Sequence, residues 1–120
     1  KHDRLMADLD AALGALYFDL GGSPGGRKAT ILVFSEFGRR VSENGSGGTD
    51  HGKAGPMFVL GHGVKGGLFG KHPSLANLNN GDLKYTTDFR SVYASLIEQC
   101  LGVDPQAILG AKYPLLRLLG

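Results

Sequence analysis

The chain has 120 residues, with 13 Lys and Arg against 11 Asp and Glu, and is 42% apolar. This suits one small domain with its own core and excludes a chain disordered by composition. The basic residues are scattered with no run or stripe, which argues against nucleic acid as a partner.

One cysteine, Cys100, excludes an intrachain disulfide. No apolar run reaches the length of a membrane span. Glycine clusters at 21–26, 45–48 and 61–70, between the apolar segments, and reads as loops around a scaffold.

In chain order, Leu5, Met6, Leu9, Ala12, Leu13, Leu16, Tyr17 and Leu20 recur at helical steps. They predict a helix over 4–20, packed by its apolar face on a sheet. Asp3 caps its start, and Gly21-Gly22 with Pro24 ends it. Ala29 to Phe34 is apolar on both faces and rich in β-branched residues, which predicts a strand over 29–35 buried within a parallel sheet.

Ser35-Glu36-Phe37-Gly38 follows at the carboxyl end of that strand, where ligands of open α/β sheets sit. A polar loop is expected from Arg39 to Gly55, and a second strand from Pro56. Residues 61–82 read as irregular surface, and Lys84-Tyr85-Thr86 as a short strand. Phe89, Val92, Tyr93, Leu96, Ile97 and Cys100 predict a helix over 88–101, capped by Thr87 and ended by Gly102, with Cys100 a buried structural thiol. Asp104-Pro105 turns the chain, and the apolar tail through Leu119 is expected to dock on the core. The fold class is therefore α/β: a partial, doubly wound, mainly parallel sheet flanked by helices.

Gly47 to Lys53 nearly spells a phosphate-binding loop, but Ala54 stands where a magnesium-binding hydroxyl is required and no helix follows. That reading is rejected. Glu36 at a strand end and His51 beside Asp50 offer oxygen and nitrogen donors suited to Zn²⁺ or Mn²⁺. The alternative is a solvated loop histidine. His62 and His72 lie in turns and read as structural. Arg39-Arg40 reads as a solvated pair that could hold an oxyanion.

Ser35 to Arg39 and Gly48-Thr49-Asp50-His51-Gly52, with Val64-Lys65-Gly66-Gly67 and Thr86 to Ser91, resemble domain-of-unknown-function family 1501. Its members are sulfatase-like relatives of alkaline phosphatase. The resemblance runs from about residue 29 to 105. It implies that residues 1–120 are the C-terminal part of an alkaline phosphatase-like domain. The implied parent is a metal-dependent hydrolase of small-molecule or glycan sulfate or phosphate esters, exported or periplasmic, using Zn, Mn or Ca.

In related phosphopentomutases one strand ends in Thr-Ala-Asp-His-Gly, and a later segment reads Gly-Thr-Asp-His-Thr. Matched to these, Glu36 and His51 fall on metal-ligand positions. Phe37 falls where a histidine ligand would be and cannot bind metal. An alternative match puts Asp50 and His51 both on the first motif, which makes Asp50 a third candidate. The nucleophile and the other metal carboxylates would lie upstream, so the site is incomplete in this chain. A non-catalytic binding or structural protein that keeps the sulfatase-like fold is the alternative, and Phe37 favours it. A partial sheet also predicts contact with upstream residues or self-association.

Overall fold

The computed structural model describes residues 2–120. Helix α1 spans His2–Gly21, and a 3-10 turn covers Gly26–Lys28. Four short strands follow: β1 Ile31–Val33, β2 Gly38–Glu43, β3 Thr49–Gly52 and β4 Phe58–Leu60. A long irregular stretch leads to α2, Phe89–Leu101, and α3, Pro105–Leu109.

The chain thus mixes helix and strand, but its strands pair antiparallel. β1 pairs with β4, Ile31 opposite Leu60 and Val33 opposite Phe58. β2 pairs with β3, Gly38 opposite Gly52 and Arg39 opposite His51. This corrects the expected parallel sheet. Parallel neighbours need a crossover, usually helical. Here the chain between β1 and β4 makes a hairpin excursion without a helix. The expected loop from Arg39 to Gly55 is that hairpin. β1 is shorter than expected, and its residues are half-buried rather than sealed on both faces. Lys84-Tyr85-Thr86 forms no strand.

Helix α2 carries the core. Ser91, Val92, Ala94 and Ser95 are buried along it, and the other buried apolar residues are Ala54 and Leu118. The helix lies against β1: the Tyr93 ring meets Phe34 edge-on at 6.0 Å, and the Cys100 thiol reaches the Thr30 hydroxyl at 3.5 Å. Its cap is Asp88 rather than Thr87, with the carboxylate accepting from the Arg90 N–H. Arg90 also donates through its guanidinium, and these bonds hold the Asp88 carboxyl below its ordinary pKa. Gly102 closes the helix in the left-handed region at φ 65°, as its place in the sequence predicts.

The tail docks as expected. Leu119 bridges to Val64, the Lys65 N–H donates to the Leu118 carbonyl at 2.7 Å, and Gln99 and Ser95 of α2 bind its backbone.

Two expectations of burial are corrected. Helix α1 has no buried residue, and Leu5, Met6, Leu16 and Phe18 are exposed. It is held at its C-terminal end, where Tyr17 stacks on His62 and the Arg27 side chain donates to the Gly21 carbonyl. Its amphipathic pattern is real, but no described sheet lies beneath it. The radius of gyration, 16.4 Å, accordingly exceeds the roughly 14 Å of a compact domain of this length.

Cys100 is exposed rather than buried. Under native conditions it should alkylate fully with a maleimide, at a rate within about 10-fold of the unfolded chain, as an accessible thiol does. Protection until denaturant is added would contradict the exposure. No helix among the described residues is long and apolar enough to cross a membrane.

Candidate functional site

The candidate residues gather around the β2–β3 hairpin. The chain leaves β1 through Phe34 and Ser35, bends at Glu36 and Phe37, and enters β2 at Gly38. The register sets Gly38 opposite Gly52, and this brings Phe37 over His51. Their rings stack with centroids 3.7 Å apart and planes 15° from parallel. The Arg39 guanidinium lies 5.3 Å from the Phe37 centroid and donates to the Thr49 carbonyl at 2.9 Å. His51 is thus held by its face, and among the described residues neither ring nitrogen has a hydrogen-bond partner.

Asp50 has a different job. Its carboxylate accepts from the Asn44 side chain at 3.0 Å and closes the hairpin's far end. There the Asn44 side-chain oxygen, Oδ1, also takes the N–H groups of Ser46 and Gly48. Consecutive residues of a strand face opposite sides. Asp50 and His51, both on β3, therefore diverge instead of aiming inward together as a tight loop could. Glu36 is exposed on the bend, and its carboxylate has no hydrogen bond or ion pair among the described residues.

Among the described residues no group of three or more His, Cys, Asp or Glu is placed to hold a metal ion. Structural zinc takes four protein ligands and catalytic zinc about three. Glu36, Asp50 and His51 do not fit a divalent ion as a set. The other candidates have structural partners. Arg40 donates to the Asn80 carbonyl, so it braces the hairpin rather than standing free for an oxyanion. The Tyr17 hydroxyl lies 3.1 Å from Nδ1 of His62, and Nδ1 of His72 lies 2.8 Å from the Pro73 carbonyl.

Asp82 is the residue that sequence reasoning missed. It is a carboxylate only 8% exposed, and both its oxygens accept from the Lys53 N–H, at 3.0 and 3.1 Å. The turn before it places Asn80 and Gly81 at positive φ, 52° and 79°, and Asn79 and Asp82 exchange backbone hydrogen bonds across it. Two left-handed central residues make the tight hairpin turn for which Asn-Gly is the usual sequence. Asn80-Gly81 carried that signal. Asp82 and Arg40 together clamp this turn to the hairpin. The clamp is close: a Cβ on Gly52 would stand 2.7 Å from the Asp82 carboxylate and 2.7 Å from the Arg39 carbonyl carbon.

No curated protein and no solved structure matches the chain. A family model described as a protein of unknown function, DUF1501, matches residues 1–112, which is nearly the whole sequence, and the chain belongs to that family.

Proposed function

We propose that this chain is the C-terminal part of a larger α/β protein of the sulfatase and alkaline phosphatase type, and that it contributes one rim of an ester-hydrolysing site rather than a whole one. The observation that carries this reading is the open edge of β1. Among the described residues that strand is bonded to β4 alone, so its other edge presents free backbone donors and acceptors. The uncovered apolar face of α1 points the same way. Both features call for further chain, either upstream residues or a second copy.

The substrate class, a sulfate or phosphate ester, rests on the resemblance of the 35–39 and 48–52 segments. So does an exported location. The assignment of Glu36 and His51 to the rim of that site rests on the same resemblance. Among the described residues the donors form no set that holds a metal ion. A second reading, a non-catalytic binding or structural protein, is favoured by Phe37 lying flat against His51.

Turnover of aryl sulfate and aryl phosphate, with Zn²⁺, Mn²⁺ or Ca²⁺ added, separates these readings. The 120-residue chain should show none, and should hold each ion weakly or not at all. The intact parent should show turnover. Activity in the isolated chain would overturn the shared-site reading, and an inert parent would favour the second.

A further inference from the structure

Asn-Gly pairs occupy two turns of the chain, Asn44-Gly45 and Asn80-Gly81. An Asn followed by Gly carries a latent reaction, because glycine has no side chain to keep its main-chain nitrogen from the asparagine amide. We propose that Asn80 is a site of spontaneous deamidation in the folded chain, and that Asn44, with the same following residue, is protected by its hydrogen bonds. The step balances with water as the only co-reactant. The Gly81 nitrogen attacks Cγ of Asn80 and gives up its proton. The N–Cγ bond forms, the Cγ–Nδ2 bond breaks, and ammonia leaves with that proton. Water then opens the cyclic imide at either carbonyl, which gives aspartate or isoaspartate at position 80.

The two sites differ in what must break before the ring can close. Asn44 is half-buried, and its Nδ2 donates to the Asp50 carboxylate at 3.0 Å. Its Oδ1 accepts from the Ser46 N–H at 3.1 Å, the Ser46 hydroxyl at 2.8 Å and the Gly48 N–H at 3.1 Å. Turning Cγ toward the Gly45 nitrogen gives these up. Asn80 is exposed, and among the described residues neither its side chain nor the Gly81 N–H has a hydrogen-bond partner. The turn's own bonds run between Asn79 and Asp82, on either side of the reacting pair. Arg40 adds activation. Its guanidinium donates to the Asn80 carbonyl, the oxygen of the same peptide whose nitrogen reacts, and a Cβ on Gly81 would lie 3.1 Å from its Nη2. A cation on that peptide favours ionisation of the N–H. The Asp82 carboxylate, which would oppose this, has both oxygens on the Lys53 N–H. Isoaspartate reroutes the main chain through Cγ and turns the carbonyl that Arg40 holds into a carboxylate. Deamidation at Asn80 therefore alters the contact that braces this turn against the hairpin. The inference does not depend on the ester-site reading.

The test is to age the intact chain at mildly alkaline pH and follow both asparagines by peptide mapping, reading the amide-to-acid mass gain and the isoaspartate product. Asn80 should convert at least about 10-fold faster than Asn44, the scale set by the hydrogen bonds that Asn44 must release. In concentrated urea the protecting bonds are gone and the two rates should converge. Asp50→Ala removes the acceptor of the Asn44 Nδ2 and should speed conversion at Asn44 alone. Equal rates at the two sites in the folded chain, a slower Asn80, or a difference that persists unchanged in urea would each overturn the proposal.

Discussion

Gly38→Ala should destabilise the chain by about 3 kcal/mol or more and separate the hairpin from the residues that follow it. Gly38 is buried at the start of β2. A Cβ there would lie 1.7 Å from the Ala54 carbonyl oxygen and 2.2 Å from its carbon. These are backbone atoms, and Ala54 is itself only 8% exposed. No rotamer change can relieve the clash, so the backbone must move. Overpacking a filled site costs about 1–3 kcal/mol, and more where backbone is displaced. With a urea slope of about 1–3 kcal/mol per M, the unfolding midpoint should fall by about 1 M or more. Gly45→Ala is the control, because nothing lies within 4 Å of a Cβ at that hairpin turn. It should change stability by less than about 0.5 kcal/mol. The stack gives a second readout. The His51 ring protons, facing Phe37 at 3.7 Å, should be shifted upfield in the wild type and return toward random-coil positions in Gly38→Ala. Equal stability of the two alanine variants would mean that Gly38 is not closely backed by Ala54.

The helices were legible because their signals are local. The apolar period fixed α1 and α2 to within a few residues, and Gly102 marked the end of α2 at the left-handed position it occupies. The cap moved by one, since Asp88 and Thr87 are both competent and only the backbone geometry decides between them. Burial was not legible for α1. A periodic apolar face says that a helix wants a partner, and says nothing about whether this chain supplies one. For β1, Ile31-Leu32-Val33 is apolar at every position, which reads equally as a strand sealed in a parallel sheet or as a short antiparallel strand under one helix. The absence of a helix between residues 34 and 57 was the discriminating feature.

The hairpin was hidden for another reason. Arg39 to Glu43 is polar on both faces, so it lacks the alternation that marks a half-buried strand. Asn44 and Gly47 were its remaining signal: the Asn44 side chain bonds across the loop, and Gly47 takes the left-handed position at φ 71°. The site suffered accordingly. With residues 39–55 read as a loop, Asp50 and His51 were free to point together. As a strand they must diverge, and Asp50 goes to Asn44. Phe37 was recognised as a residue that cannot bind metal, but its stacking on His51 depends on the Gly38–Gly52 register, which no local pattern encodes.

Gln99→Ala should detach the C-terminal tail at a cost of about 2 kcal/mol. The Gln99 carboxamide makes three bonds to the tail: Nε2 donates to the Leu116 carbonyl at 2.6 Å, and Oε1 accepts from the N–H groups of Leu118 and Leu119 at 3.0 Å each. The Leu118 N–H has a second acceptor in the Leu116 carbonyl, but Leu119 loses its partner outright. A buried donor left unpaired costs about 1–3 kcal/mol, and lost neutral bonds add about 1 kcal/mol each where nothing replaces them. Water entering the truncated site limits the total. Leu118, 3% exposed, is the apolar residue that the tail brings to the core, so loosening Leu116 to Leu119 also opens the core. Gln99→Glu tests the geometry rather than the bulk, since it keeps the acceptor for Leu118 and Leu119 but sets a carboxylate oxygen against the Leu116 carbonyl. It should destabilise the chain as well. Ser95 holds the same tail residue, its hydroxyl accepting from the Leu116 N–H at 2.7 Å and donating to the Ser91 carbonyl at 2.6 Å. Gln99→Ala and Ser95→Ala should therefore be non-additive, because once either releases Leu116 the other has less to lose. Limited proteolysis should cut the Gln99→Ala variant after Lys112 or Arg117 at least 10-fold faster than the wild type, while sites before α2 keep their rates. Additive losses with an unchanged cleavage pattern would show that the tail is held by its apolar contacts and not by the α2 side chains.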